Sequence, residues 1–379
     1  MIVERPALER RVLASLDAGR IPVIVGGCGT GRTSALLRVA GQVRPGRGQY
    51  LDLAAAATTP ERCLDAVVAA CHGAPSRAAA PASARAAFDA LLDLFDDAAG
   101  AAGGPVAFLI DEFLDIRTFE NFPGLRHVQR DFIERLAASP ARFVLATRFT
   151  SRAHRLLRDA PARFEVVHVP PLDWQDVQAI ALQFDGARRE WASQVAPIVA
   201  SLTGGRAAYV VLLLETLVAM GFPSDPAVAL AALAAPDGRL TARCRESYEF
   251  RLQRARGYGA LKAILGVLAA DEPLNLTDIS HRLHRTPGST KDYLSWLEDV
   301  DLVTSRGKRY AFEDPLVRLH VRLYGRAVPP GDGDVVREVT AYAAARLPRA
   351  GDADAPVAAP IGEPASPDGD RASGIIEID

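Results

Sequence analysis

Eight residues, Gly26-Gly27-Cys28-Gly29-Thr30-Gly31-Arg32-Thr33, follow directly on the apolar run Ile21-Pro22-Val23-Ile24-Val25. Their spacing fits the phosphate-binding pattern G-x-x-x-x-G-K-[ST] at every position but one, where Arg32 stands in place of lysine. A buried strand that turns through glycines into a helix aims several backbone N–H groups, and the positive helix end, at one spot. That spot suits a polyphosphate. Gly26 and Gly31 supply backbone freedom, Gly27, Cys28, Gly29, Thr30 and Ser34 complete the nucleotide-binding loop, and the Thr33 hydroxyl suits Mg²⁺. Arg32 would reach the β- and γ-phosphates, but a planar guanidinium does not sit where an ammonium does, so binding is a firmer expectation than fast hydrolysis. The bland alternative is a glycine-rich turn that binds nothing.

A second chemistry-bearing group closes the apolar run Val106-Ala107-Phe108-Leu109-Ile110, which ends in Asp111-Glu112. Continuous apolar character is what a central parallel strand shows, and ligands of open α/β sheets bind at carboxyl ends of strands. There Asp111 would hold Mg²⁺ and Glu112 would orient and deprotonate an attacking water. An acidic helix cap is the alternative. Together with the loop, the two acids make a Walker A and Walker B set for ATP and Mg²⁺.

These groups need elements to position them. Residues 2–20 read as a short extended lead and an amphipathic helix with Leu8, Val12, Leu13 and Leu16 on one face. Strands at 49–53, 142–147 and 164–169 alternate with helices at 83–99, 125–138 and 151–158, and residues 114–124 form a polar-aromatic link. The layering rules turn this series into a parallel sheet covered on both faces, an α/β class of P-loop NTPase type over 1–171. The alternation then stops. Segments 173–183, 187–202 and 206–221 all read helical, with Gly204-Gly205 as a break, giving a helical lid over 172–236. A basic helix at 240–256 leads into helix, short strand, helix, Thr-Pro-Gly turn, helix and a two-stranded wing around Arg306-Gly307-Lys308-Arg309, a winged helix-turn-helix over 237–326. A helix at 335–347 aside, 327–379 is expected to be mostly a disordered acidic tail.

The 379-residue chain is 49% hydrophobic and 24% charged, ordinary for a folded protein. Its net charge of −2 hides an asymmetry, because residues 350–379 hold seven acids against one arginine and the rest carries about +4. Neither value marks a strongly nucleic-acid-binding surface. Arg306, Lys308 and Arg309 of the wing favour DNA, whereas the presumed recognition helix 289–301 sets Lys291 against Asp292, Glu298, Asp299 and Asp301, which phosphates would repel. A partner protein is the other candidate for this module. Lys262, Lys291 and Lys308 are the only lysines. The cysteines Cys28, Cys63, Cys71 and Cys244 form no C-x-x-C pair, and Cys71-His72 has no companion ligand pair for zinc. The run Ala207–Phe222 is broken by Glu215, and no signal segment opens the chain, so a cytoplasmic protein without membrane contact is expected.

Taken together, the loop 26–33, Asp111-Glu112, Thr147, the Gly204-Gly205-Arg206 break and the trailing winged helix resemble AAA+/STAND ATPases of the archaeal-ATPase and origin-recognition type. The resemblance covers about residues 1–325 and implies further roles. It makes Glu4-Arg5 part of an adenine pocket, Thr147 a sensor 1 residue, Arg206 a sensor 2 arginine and Arg163 an arginine finger used in a nucleotide-dependent homo-oligomer. A capping threonine, a helix-terminal arginine and a solvated surface arginine are the plain alternatives. Arg32 is the chief departure. Two functions stay open: a slow ATP-switched ATPase whose winged helix engages DNA or a partner, and a weakly catalytic nucleotide-binding scaffold whose winged helix docks protein.

Overall fold

The computed structural model describes residues 3–43, 48–71, 80–101, 107–221, 224–253, 257–326 and 328–347. The expected acidic tail 350–379, most of the loop at 74–81, Val106 and residues 254–256 of the basic helix lie outside them.

Five strands, β1 (Ile21–Val25), β2 (Gly48–Asp52), β3 (Ala107–Asp111), β4 (Arg142–Thr147) and β5 (Phe164–His168), form one sheet in the order β2-β3-β4-β1-β5. Each neighbouring pair is parallel. Register places Val25 opposite Thr147 and Asp52 opposite Asp111, so the loop after β1 and the acids after β3 emerge at the same carboxyl edge. Helices α1 (Pro6–Asp17) and α2 (Arg32–Gln42) cover one face, where Val12, Leu16, Leu36 and Val39 pack on Ile24, Leu109 and Val144. The other face meets α3 (Leu53–Ala56), α4 (Pro60–Ala70), α5 (Ala84–Ala101), α6 (Val128–Ala138) and α7 (Thr150–Leu157). Strand alternation sends Phe108, Ile110, Phe143 and Leu145 to that side. Phe95 of α5 sits 4.6 Å from Phe108 and 5.5 Å from Phe143, centroid to centroid, and each such ring buried contributes about 1.5–3 kcal/mol.

The link after the acids is not extended: Phe113–Asn121 winds as a 3-10 helix that buries Phe113, Leu114, Ile116 and Phe119. The lid comprises α8 (Trp174–Ala181), α9 (Arg189–Thr203), α10 (Ala207–Ala219) and α11 (Pro226–Ala234). Asp173 and Asp176 form a capping box at the start of α8. Gly205, at φ +65°, lies so close to the core that a Cβ there would stand 2.4 Å from the Leu172 carbonyl oxygen.

The C-terminal unit runs through α12 (Arg239–Gln253), α13 (Tyr258–Ala270), β6 (Leu274–Asn275), α14 (Leu276–Arg282), α15 (Pro287–Asp299), β7 (Val303–Arg306), β8 (Arg309–Phe312), α16 (Pro315–Tyr324) and α17 (Asp332–Ala344). Strands β7 and β8 pair antiparallel around a two-residue turn, Gly307-Lys308, with φ of 55° and 63°, which matches the twist of a tight hairpin. Helix α17 packs on α11 and α16 with Val335, Val339 and Ala343 buried, so the chain up to 347 belongs to the folded body.

His320 of α16 is buried between Tyr248 and Tyr324. Burial, helped by Arg245, pushes its pKa down to about 4 from an ordinary 6.5. The unfolded chain therefore takes up this proton first, so the full stability is present above about pH 6.5 and is lost as pH falls toward 4. Urea unfolding is expected to show a loss of roughly 3 kcal/mol over that window, and His320→Phe should flatten that part of the slope.

Candidate functional site

The loop between β1 and α2 turns through Gly29 and Gly31 at φ +77° and +96°. Gly31 caps α2 without a side chain. Among the described residues, the amides of Gly27, Cys28, Gly29, Arg32, Thr33 and Ser34 donate no hydrogen bond, while Thr30 N–H reaches back to the Gly27 carbonyl at 3.4 Å. Helix starts and αL turns create such amide nests, and they fit phosphate oxygens. The Thr30 hydroxyl also donates to the Gly27 carbonyl at 2.9 Å, closing the turn from within.

Thr33 Oγ1 donates to Asp111 Oδ2 at 2.6 Å, and Tyr50 Oη from β2 donates to the same oxygen at 3.2 Å. Asp111 Oδ1 accepts the Glu112 amide at 3.0 Å. Burial first and Asp111 second push the Tyr50 phenol far above its usual range, so it remains a donor. A hydroxyl and a carboxylate in contact beside a phosphate nest are an oxygen donor set that fits Mg²⁺.

Glu112 sits one residue past the strand at φ 51°, a left-handed conformation costly for a side-chain-bearing residue. Its Oε1 accepts Arg32 Nη1 at 3.0 Å. Oε2 accepts the Arg148 amide at 3.1 Å and the Thr147 hydroxyl at 3.4 Å, with Arg148 Nε 3.5 Å away. Arg32 is 7% exposed and Glu112 8%. The cation of the loop and the acid of β3 are thus a buried ion pair. Arg148 continues outward to Asp115 at 2.9 Å and lies over the rings of Phe149 and Phe250, at 5.2 and 5.0 Å.

The outer side of the loop is gripped by the lid and the C-terminal unit. The Gly29 carbonyl accepts the Ala208 amide at 2.9 Å, and the Cys28 carbonyl accepts Arg206 Nη1 at 3.3 Å. A Cβ on Gly27 would come within 2.6 Å of that guanidinium. Arg251 Nη2 lies 3.2 Å from Cys28 Sγ, while its Nη1 donates to the Asp301 carbonyl at 2.7 Å. Burial raises the Cys28 thiol, but Arg251, Ser247 and Arg32 outweigh it and the net shift is downward. Arg5 spans from the Thr30 carbonyl at 3.0 Å to the Pro170 carbonyl at 2.5 Å, tying the N-terminal segment to the loop.

The structure therefore brings Gly26 to Ser34, Asp111, Glu112, Thr147 and Arg206 to one place. Arg163 is elsewhere. It precedes β5, whose Phe164 pairs with Ile21 at the start of β1, the opposite edge of the sheet. Its guanidinium donates to the carbonyls of Gly19, Ala137, Ser139 and Ala141 at 2.7–3.3 Å. Gly19 follows α1, Ala137 lies in the last turn of α6, and Ser139 and Ala141 lead into β4, so within this chain Arg163 ties these ends together. Arg306, Lys308 and Arg309 are exposed on the hairpin. Tyr50, Arg148, Arg251 and Asp314 are site neighbours that no motif flags.

No protein-family model matches the chain, and no curated protein matches its sequence. The fold is similar to that of the Walker-type ATPase of Pyrococcus abyssi, at TM-score 0.63 and 16% identity over 85% of this chain and 96% of that one. Cdc6p of Pyrobaculum aerophilum, at TM-score 0.41 and 13% identity over 90% and 96%, and a STAND protein of Pyrococcus horikoshii, at 0.33 and 14% over 90% and 44%, are more distant. The chain shares with that Walker-type ATPase an α/β fold, here built on a five-stranded parallel sheet.

Removing Arg32 would leave Glu112 with Arg148 and Thr147 alone. Arg32→Ala is expected to lower stability by about 3 kcal/mol, and Arg32→Lys, which loses the planar fork, by about 1 kcal/mol. Denaturant titrations of the two variants without nucleotide check this ordering.

Proposed function

We propose that this chain binds ATP with Mg²⁺ on the β1–α2 loop and hydrolyses it slowly, using nucleotide state to set the placement of its C-terminal unit. The observation that carries the reading is the nest of unpaired loop amides set beside the Thr33–Asp111 pair, with Glu112 one residue on. The loop amides and Arg32 would bind the phosphates. Thr33 and Asp111 would hold Mg²⁺, which neutralises phosphate charge when bound. Glu112 would accept a proton from water, and Thr147 would orient the carboxylate through its hydroxyl.

The same geometry accounts for slowness. Glu112 is engaged by two guanidiniums and a backbone amide, so a base that also has to face water must first lose part of that company. Arg32 in turn must be shared between acid and phosphate. This division favours the scaffold reading as the alternative, in which ATP binds and turnover is negligible. Single-turnover hydrolysis decides between them: Glu112→Gln should keep ATP binding while lowering the rate about 100-fold or more. A parent chain that binds ATP but shows no hydrolysis leaves the scaffold reading in possession.

We read helices α14 and α15 with the β7–β8 hairpin as a winged helix. Its acidic helix does not confront a partner with all its charge. Asp299 pairs with Arg155 of α7, and Asp301 Oδ1 accepts the amide and hydroxyl of Ser151 at 3.1 and 2.7 Å. Those acids are spent on the nucleotide-binding body, whereas the three wing cations face solvent. DNA binding through the wing is expected to be weak and salt-sensitive, and replacing Arg306, Lys308 and Arg309 with alanine should cut the slope of log affinity against log salt by about 2–3. An unchanged slope in a filter-binding titration would assign the unit to protein partners.

A further inference from the structure

Arg206 and Asp314 meet across the seam between the lid and the C-terminal unit. Asp314 is the N-cap of α16, and its Oδ1 accepts the amides of Leu316 and Val317 at 2.9 and 3.3 Å. Its Oδ2 accepts the Tyr209 hydroxyl at 2.8 Å and lies 3.5 Å from Arg206 Nε. Asp314 is 7% exposed. Arg206 meanwhile donates to the Cys28 carbonyl at 3.3 Å and the Glu313 carbonyl at 3.1 Å. One guanidinium therefore joins the phosphate loop to the cap of a helix in the C-terminal unit. Burial alone would favour loss of its proton, but Asp314, with Tyr209 and Glu313, keeps it charged.

A buried carboxylate deprived of its cation is strongly destabilised unless water replaces the cation. Asp314 can release Arg206 only if the seam opens to solvent. The guanidinium also lies against Gly27, in a loop whose free amides would gather phosphate charge. Two anions then claim the same side chain.

We propose that Asp314 is a built-in competitor of nucleotide phosphate for Arg206, so that their pairing closes the C-terminal unit on the loop and bound ATP opens it. This rests on the ATP-binding reading of the loop. Phosphate charge draws Arg206 toward the loop, Asp314 is left to water, and α16 leaves the seam with the unit that carries it. ATP, with one phosphate more than ADP, draws harder.

Asp314→Asn tests the competition, because asparagine still caps a helix but carries no charge. Titration of the full chain with a fluorescent ATP analogue is expected to show binding about tenfold tighter in the variant, with a smaller gain for the ADP analogue. Without nucleotide, Cys28 in the loop should react faster with a maleimide in the variant, read by peptide mass mapping; Cys63, Cys71 and Cys244 are buried. Unchanged or weaker ATP binding in D314N, or the same Cys28 rate as the parent, overturns the competition alone. A parent that binds neither analogue overturns the ATP reading and the competition with it. Should D314N fail to fold, Tyr209→Phe decides with the opposite sign: Asp314 loses a donor, leans harder on Arg206, and ATP binding weakens. Tighter or equal binding in Y209F overturns the proposal.

Discussion

Two adjacent carboxylates at the end of β3 are nearly buried, and buried charge has to be paired. Most of the site follows from that requirement. Asp111 is satisfied by Thr33 from the loop, Tyr50 from β2 and the Glu112 amide. Glu112 is satisfied by Arg32 from α2 and by Thr147 and Arg148 from the end of β4. These donors belong to four separate segments, and they converge only because β4 lies between β1 and β3 in the sheet. Strand order is therefore what brings partners to the buried acids, and the acids in turn fix the conformation of the loop. The left-handed backbone at Glu112 fits this picture, since three donors hold the residue where its own preference would not.

The loop has two sides with different duties. Among the described residues, the amides of Gly27, Cys28, Gly29, Arg32, Thr33 and Ser34 have no hydrogen-bond partner, while the Cys28 and Gly29 carbonyls and the Cys28 sulfur face the lid and the C-terminal unit. A peptide unit cannot turn one side without turning the other. Any shift of the amides toward phosphate moves the carbonyl edge that Ala208, Arg206 and Arg251 hold. Ala208 of α10 and Arg251 of α12 are thereby joined mechanically to the loop, and Phe250, over Arg148, adds a second path from α12 to the acid pair.

How much of this could be read in the residues depends on whether the signal is local. The loop pattern, the apolar strands, the capping pairs at Thr59-Pro60 and Asp173 and the hairpin around Gly307 are local signatures, and the elements stand where spacing puts them. Helix α11 was not legible because Pro226–Ala234 is alanine-rich and apolar all round, without the one-sided pattern that marks an amphipathic helix. The segment 113–121 reads as a link because a 3-10 turn has no 3.6-residue repeat. Among site residues, Arg206 is marked by the Gly204-Gly205 break before it, but Tyr50 looks like any strand tyrosine, and Arg148 and Arg251 are concealed by abundance in a chain whose cations are nearly all arginine. The carbonyls that Arg163 holds come from separate segments and carry no local signature either. Asp314 could be foreseen as a cap before Pro315, but not as the counter-ion of a residue 108 positions away.

The near absence of lysine has a consequence for control. Every cation around the loop, Arg5, Arg32, Arg148, Arg206 and Arg251, is a guanidinium, and the three lysines lie in the C-terminal unit. Guanidinium keeps its proton at any pH at which the chain is folded and offers no amine to an acetyl donor. The positive charge around the β1–α2 loop is thus constant. Acidity and lysine acylation can act on the periphery, but the balance at the centre responds only to anions: the carboxylates of the chain itself and the phosphates brought to it.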